Sequence, residues 1–166
     1  MASAGLSDDL TFDMEEITEY RRLKKGDHLA VRGDHAGIQY YHHGIFLGSK
    51  KGVADFGGAD KENAVLSFVD LMQFNNRGNR TIVRINYPPG KCLEDDVVVA
   101  NAIKLVDNPG SWGPFNLLLN NCEHFATWCK TGHAVSIQAI QKLEEGIENV
   151  MLALKVVLPQ ISGSSF

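Results

Sequence analysis

Short runs rich in β-branched and aromatic residues, punctuated by glycine-containing turns, fill the first half of the chain. Apolar residues at three-and-four spacing fill the second half. Asp27–Val31 reads as a first short strand, and the polar stretch Arg32–Gly37 as a turn. Ile38–Leu47 is β-rich and ends at Gly48, as a strand does. Ser49-Lys50-Lys51-Gly52 has the length and composition of a hairpin turn. Val53–Phe56 then pairs back, and Gly57-Gly58 ends that strand. Val65–Phe74 fits either a strand followed by one helical turn or a single helix. Thr81–Asn86, with Ile82, Val83 and Ile85, is a strand that Pro88-Pro89-Gly90 breaks.

Leu93–Val106 carries Val98, Ala102 and Leu105 at helical spacing behind an acidic start, and Asn108-Pro109-Gly110 stops it. After the short apolar run Phe115–Leu119, Cys122–Lys130 reads as a helix with Gly132 as its C-terminal cap. Ser136–Leu158 places Ile137, Ile140, Leu143, Ile147, Val150, Leu154 and Val157 on one stripe. That predicts an amphipathic C-terminal helix, with Gly146 a place for a kink and Pro159 its end. Strands first and helices late imply an α+β fold, a small antiparallel sheet packed against helices. Met1–Lys25 reads as a polar, partly disordered leader, and Ser162–Ser165 as a loose tail.

Composition narrows the function. A length of 166 residues suits one domain with one real core. The net charge of -4 lacks the basic excess of a nucleic-acid binder. Arg21, Arg22, Lys24 and Lys25 form one basic cluster, either a solvated approach to the first strand or a contact for an anionic lipid surface. Three cysteines, an odd and low count, argue against a disulfide framework, and Met1–Asp13 has no apolar signal segment. A reducing, cytoplasmic location is therefore expected, where thiols stay free to react. The longest apolar stretch, Val150–Leu158, is interrupted by Lys155 and falls short of the ~20 residues that span a bilayer. Without a secretion signal, Arg32-Gly33-Asp34 and the sequon Asn79-Arg80-Thr81 are read as chance.

The tightest chemical feature is Asn120-Asn121-Cys122-Glu123-His124-Phe125, which opens a helix. The positive end of a helix and its free N–H groups stabilise a thiolate and can hold an oxyanion. Asn120 or Asn121 would cap the helix or donate to that oxyanion. The plain alternative is a small buried cysteine at a helix start. Cys129, two turns on, reads as packing, and Cys92 sits in a Pro-Gly loop. A thiolate nucleophile needs a base. His124 shares the helix and faces away, and His133 follows it. His28 and His35 flank the first turn. His42 and His43 are neighbours on a strand, so they face opposite ways and only one can serve a given site. Periodicity does not choose between them. Neither the histidine spacing nor the cysteines fit a zinc pattern, so no metal and no cofactor is expected.

His42-His43-Gly44-Ile45-Phe46-Leu47-Gly48 resembles the H-box of the lecithin:retinol acyltransferase-like family, and Asn121-Cys122-Glu123-His124-Phe125 resembles its NC motif. Gly26-Asp27-His28-Leu29 is similar to the family's first strand. The resemblance runs from about Lys24 to Gly132. It divides the chain into a leader (1–23), a catalytic domain (24–132) and a C-terminal helix and tail (133–166). The family is the permuted branch of the NlpC/P60 papain-like superfamily, so the resemblance implies a permuted papain-like fold. It also implies that Cys122 is the nucleophile and that His42, not His43, is its base. The third polar residue, usually histidine in the family, falls on Asp55, after a turn longer by one residue. An aspartate there would accept the base's other ring N–H.

The implied activity is transfer or hydrolysis of an acyl group from a lipid ester through a thioester. Two alternatives stand beside it: a non-enzymatic interaction module on the same fold, and a thiol hydrolase of amide bonds. Many lipid-acting members carry a C-terminal membrane span. Here that helix carries Lys142, Glu144, Glu145 and Glu148. It would lie peripherally on a membrane, pack on the sheet, or pair with a protein partner.

Overall fold

A computed structural model describes residues 13–35, 38–58, 63–116 and 120–162, with backbone alone for 34–35, 38–39 and 156–162. The leader up to residue 12, positions 117–119 and the tail beyond 162 lie outside the described residues. Among the described residues, six strands form one antiparallel sheet: β1 (Asp13–Ile17), β2 (His28–His35), β3 (Ile38–Phe46), β4 (Val53–Gly57), β5 (Val65–Val69) and β6 (Ile82–Asn86). Their order is β1-β6-β2-β3-β4-β5. Four helices complete the α+β fold: α1 (Leu71–Phe74), α2 (Asp95–Asp107), α3 (Cys122–Thr131) and α4 (Ile137–Ser162).

Strand alternation sends Ile45 and Leu47 to one face and Phe46 to the other. On the first face Ile45, Ala54, Phe56 and Leu66 pack under Val98, Ala102 and Leu105 of α2 and Phe125, Ala126 and Cys129 of α3. On the second, Phe46 and Val53 join Ile17, Leu29, Val31, Phe74 and Ile82. Each fully buried large side chain contributes roughly 1.5–3 kcal/mol. The β3–β4 turn closes at Gly52, whose φ of +77° and approach to Val69 O admit no side chain: an added Cβ would sit 2.1 Å from that oxygen.

Three expectations are corrected. Residues 13–17, assigned to the leader, form β1, because Ile17 is buried and Glu15 meets Arg84 of β6 and Arg22. Arg32–His35, read as a turn, continue β2, pairing out to His35 opposite Ile38. Gly33 belongs in that strand because the Tyr40 ring lies against it, 2.9 Å from where a Cβ would be. Pro159 does not end α4, which runs to Ser162. Near a helix end a proline removes only one ladder hydrogen bond. The ambiguous segment 65–74 is a strand followed by one helical turn, started by Asp70, whose Oδ1 accepts from Gln73 N at 2.7 Å.

Among the described side chains of α4 and its approach, buried positions are confined to the start, at Ser136 and Ala139. Leu143, Ile147, Val150, Met151, Leu152 and Leu154 are all exposed, by 46–62%. Among the described residues, no helix is long and apolar enough to cross a membrane.

Candidate active site

Cys122 is the first residue of α3, and its position is set by a capping box. Asn121 Oδ1 accepts from the N–H groups of Glu123 (2.9 Å) and His124 (3.0 Å), and His124 Nδ1 accepts from Asn121 N (3.0 Å). Asn121 Nδ2 donates to Ser136 Oγ at 3.0 Å. Both ends of that side chain are therefore engaged in holding the helix. Asn120 is not the cap: its amide donates to Pro114 O at 2.9 Å, in the preceding loop. Phe125 N bonds Asn121 O. With the next three N–H groups used, the N–H of Cys122 itself is the helix-start donor beside the sulfur.

His42 projects from β3 toward β4, where its Nε2 lies 2.8 Å from Asp55 Oδ2. The hairpin register makes this contact: Gly44 stands opposite Asp55, and His42 is two residues along on the same face. The Phe74 ring packs beside the imidazole, 5.6 Å between centroids. Since Nε2 is taken by Asp55, Nδ1 is the nitrogen left for sulfur. Burial pushes the His42 pKa down, but hydrogen bonds to Asp55 and Cys122, with their charges, outweigh it and raise it to about 10. The Cys122 sulfur also lies 4.0 Å from Tyr41 O. Cys122, His42 and Asp55 line one open cavity of about 670 Å3. Arg80 and Lys142 line it too, and among the described residues neither forms an ion pair.

His43, on the other face of β3, enters a separate buried chain. Its Nδ1 is 2.8 Å from His28 Nε2, His28 Nδ1 is 2.8 Å from Tyr87 Oη, and its Nε2 is 3.0 Å from Gln138 Nε2. An amide nitrogen only donates, so His43 Nε2 accepts; the protons then run from His43 Nδ1 to His28 and from His28 Nδ1 to Tyr87. Both rings are neutral in this scheme. Burial lowers the pKa of His43 to about 4 and that of His28 well below its ordinary value.

A consequence for stability follows. An unfolded chain protonates these histidines near pH 6.5, whereas the folded chain resists. Stability present above pH 6.5 is expected to fall as pH drops toward 4, by on the order of 3 kcal/mol at most for His43. Urea midpoints measured between pH 7 and pH 4 check this; a His43→Gln variant should show a flatter dependence.

His124 is spent on the cap, and His133 is exposed. The side chain of His35 lies outside the described residues. Cys129 is buried against α2, with its thiol pKa raised by burial, and Cys92 is exposed. Among the described residues no group of three or more His, Cys, Asp or Glu converges as a metal site requires.

Sequence reading gave Ser136 and Gln138 no part in the site, took Gly57 only as a strand end, and named Glu123 only as a member of the motif around Cys122. Gly57 lets the imidazole lie across β4: a Cβ there would be 2.8 Å from His42 Cε1 and 3.1 Å from Nε2. Gly57→Ala should push the ring off Asp55 and slow turnover about tenfold or more while leaving the fold intact. Steady-state kinetics beside a thermal melt tests it. The only sequence signal was a glycine pair at a strand end.

Over residues 21–135, more than half its length, the chain matches the family model described as lecithin retinol acyltransferase. No curated protein matches it.

Proposed function

Because this chain belongs to the lecithin retinol acyltransferase family, we propose that it is a cysteine-dependent acyltransferase or phospholipase-type hydrolase that moves an acyl group from a lipid ester through a thioester on Cys122. Acyltransferase-type activity follows from the family; the thioester route and the lipid substrate are the proposal. One observation carries it: a sulfur at a helix N-terminus and an imidazole–carboxyl pair from a hairpin open on the same cavity.

In this reading His42 holds the proton that Cys122 releases, and the sulfur attacks the ester carbonyl. The C–S bond forms, and the carbonyl oxygen takes the negative charge beside the Cys122 N–H. His42 returns the proton to the leaving alcohol as the C–O bond breaks. Water, an alcohol or an amine then attacks the thioester, gives its proton to His42, and the sulfur departs. Asp55 keeps Nε2 protonated and Nδ1 aimed at the sulfur. Arg80 and Lys142 are placed to meet an anionic headgroup, which favours a phospholipid donor. The exposed apolar side of α4 supports a peripheral membrane location.

The test is incubation with a short-chain diacylglycerophosphocholine, followed by intact mass. An added acyl mass on Cys122, released by hydroxylamine, supports the reading; a Cys122→Ala variant that turns over the same ester at the parent rate refutes it. A panel of esters against amides separates an amide hydrolase. The bare length of α4 favours a second reading, an interaction module. Full biological activity in a protein unable to form the adduct would select it.

A further inference from the structure

The first turn of α4 reaches back into the site from both sides. Gln138 Oε1 accepts from Tyr41 N at 2.8 Å, and its Nε2 donates to Tyr41 O at 3.1 Å. Tyr41 N–H can only donate, so the amide orientation is fixed. This two-point clamp holds the backbone of β3 at the residue just before His42. The same Nε2 lies 3.0 Å from Glu123 Oε2 and 3.0 Å from His43 Nε2. Glu123 is the residue just after Cys122. Its oxygens accept from Ile137 N (2.9 Å), Gln138 N (3.2 Å) and Ser136 Oγ (3.0 Å). Ser136 Oγ in turn accepts from Ala139 N and from the cap residue Asn121. An acidic side chain on a helix N-terminus is favourable there. One turn of helix therefore joins the strand that carries the imidazole to the helix that carries the sulfur.

Resting on the reading of Cys122 and His42 above, we propose that Gln138 is a positioning residue: it sets His42 against Cys122, and the reactivity of the sulfur depends on α4 being docked. Gln138 also lines the cavity, and its amide is held by the Tyr41 backbone and Glu123. It acts through the Tyr41 backbone and Glu123, which flank the two reacting side chains in sequence. A shift of about 1 Å between such groups costs on the order of a hundredfold in rate. Glu123, Ser136 and Gln138 are buried or half-buried, so water is a poor substitute for the lost bonds. Helix α4 is thereby part of the active site and not an appendage to it.

The experiment measures the rate of iodoacetamide alkylation at Cys122 against pH, resolved from Cys92 and Cys129 by peptide mass, in the full chain. Parent, His42→Ala, Gln138→Met and Gln138→Glu are compared, each with a thermal melt. Methionine keeps the length and loses every hydrogen bond; glutamate keeps the acceptor for Tyr41 N. Gln138→Met is expected to slow alkylation near neutral pH tenfold or more and to move the profile to higher pH, with Gln138→Glu between it and the parent. A residue that merely stabilised the fold would act in the opposite sense, exposing the sulfur and speeding its alkylation. If His42→Ala slows the reaction and folded Gln138→Met matches the parent, the positioning role is overturned alone. If His42→Ala also matches the parent, the pairing of Cys122 with His42 is what fails. Should Gln138→Met not fold, Gln138→Glu decides by the same comparison, a parent-like profile overturning the role.

Discussion

Cys122→Ala brings acyl transfer down to the uncatalysed background, a fall of at least about a thousandfold in kcat. Without the sulfur the proposed thioester cannot form, and His42 loses the thiol whose proton it would take. A general-base route, in which His42 activates water directly on the ester, would retain a measurable rate, so the size of the loss reports the mechanism. Stability should change little, by about 1 kcal/mol, because one sulfur atom leaves a small gap at the helix start. The variant should also still bind substrate, since the cavity walls, Arg80 and Lys142 are untouched. Turnover assays, a melt and a substrate-binding titration on the same preparation check the three parts. Retention of more than a tenth of the parent rate would remove the covalent mechanism.

Whether a feature could be read from the sequence depended on how local its cause is. β3 and α3 are locally determined. The β-branched and aromatic residues along Ile38–Phe46 and the Asn cap before Cys122 act within a few residues. The α+β class follows from the same local patterns. β1 is a different case. Asp13-Met14-Glu15-Glu16-Ile17 has no strand alternation, and it becomes a strand because Arg84, some seventy residues later, meets Glu15. Asp55 could be placed on a strand from its neighbours, but its contact with His42 comes from the hairpin register. Gln138 was invisible for the same reason. On an amphipathic helix it looks like one more polar position, and its function lies in bonds to Tyr41, 97 residues away. The choice between His42 and His43 was likewise not local: alternation said only that the two face opposite ways, and it is the fold that puts His42 on the cavity with Cys122 and His43 in a separate buried chain.

Asp55→Asn tests the charge at the far end of the site. Burial opposes a protonated His42, and the pKa nonetheless stands at about 10, with the hydrogen bond to Asp55 the foremost favourable cause. An amide at position 55 still fills the space but removes the charge, and its nitrogen can present a donor where Nε2–H needs an acceptor. The imidazolium is then less stable, and the ring is freed to turn. We expect kcat/KM to fall by about a hundredfold or more. The direction of the pH effect is fixed by the sign of the shift. His42 must carry a proton for the leaving alcohol, and in the parent it holds that proton until pH rises through about 10. In Asp55→Asn the alkaline limb of kcat/KM should therefore move down toward the ordinary histidine value near 6.5. The same linkage predicts that stability gained from the charged ring, fully present below pH 6.5, is lost at a lower pH in the variant than in the parent. Asp55→His, which restores the family's usual residue, can accept from Nε2–H without a full charge. Its rate should recover above that of Asp55→Asn while its alkaline limb stays below that of the parent. An unmoved limb in both variants would show that Asp55 does not hold the proton on His42.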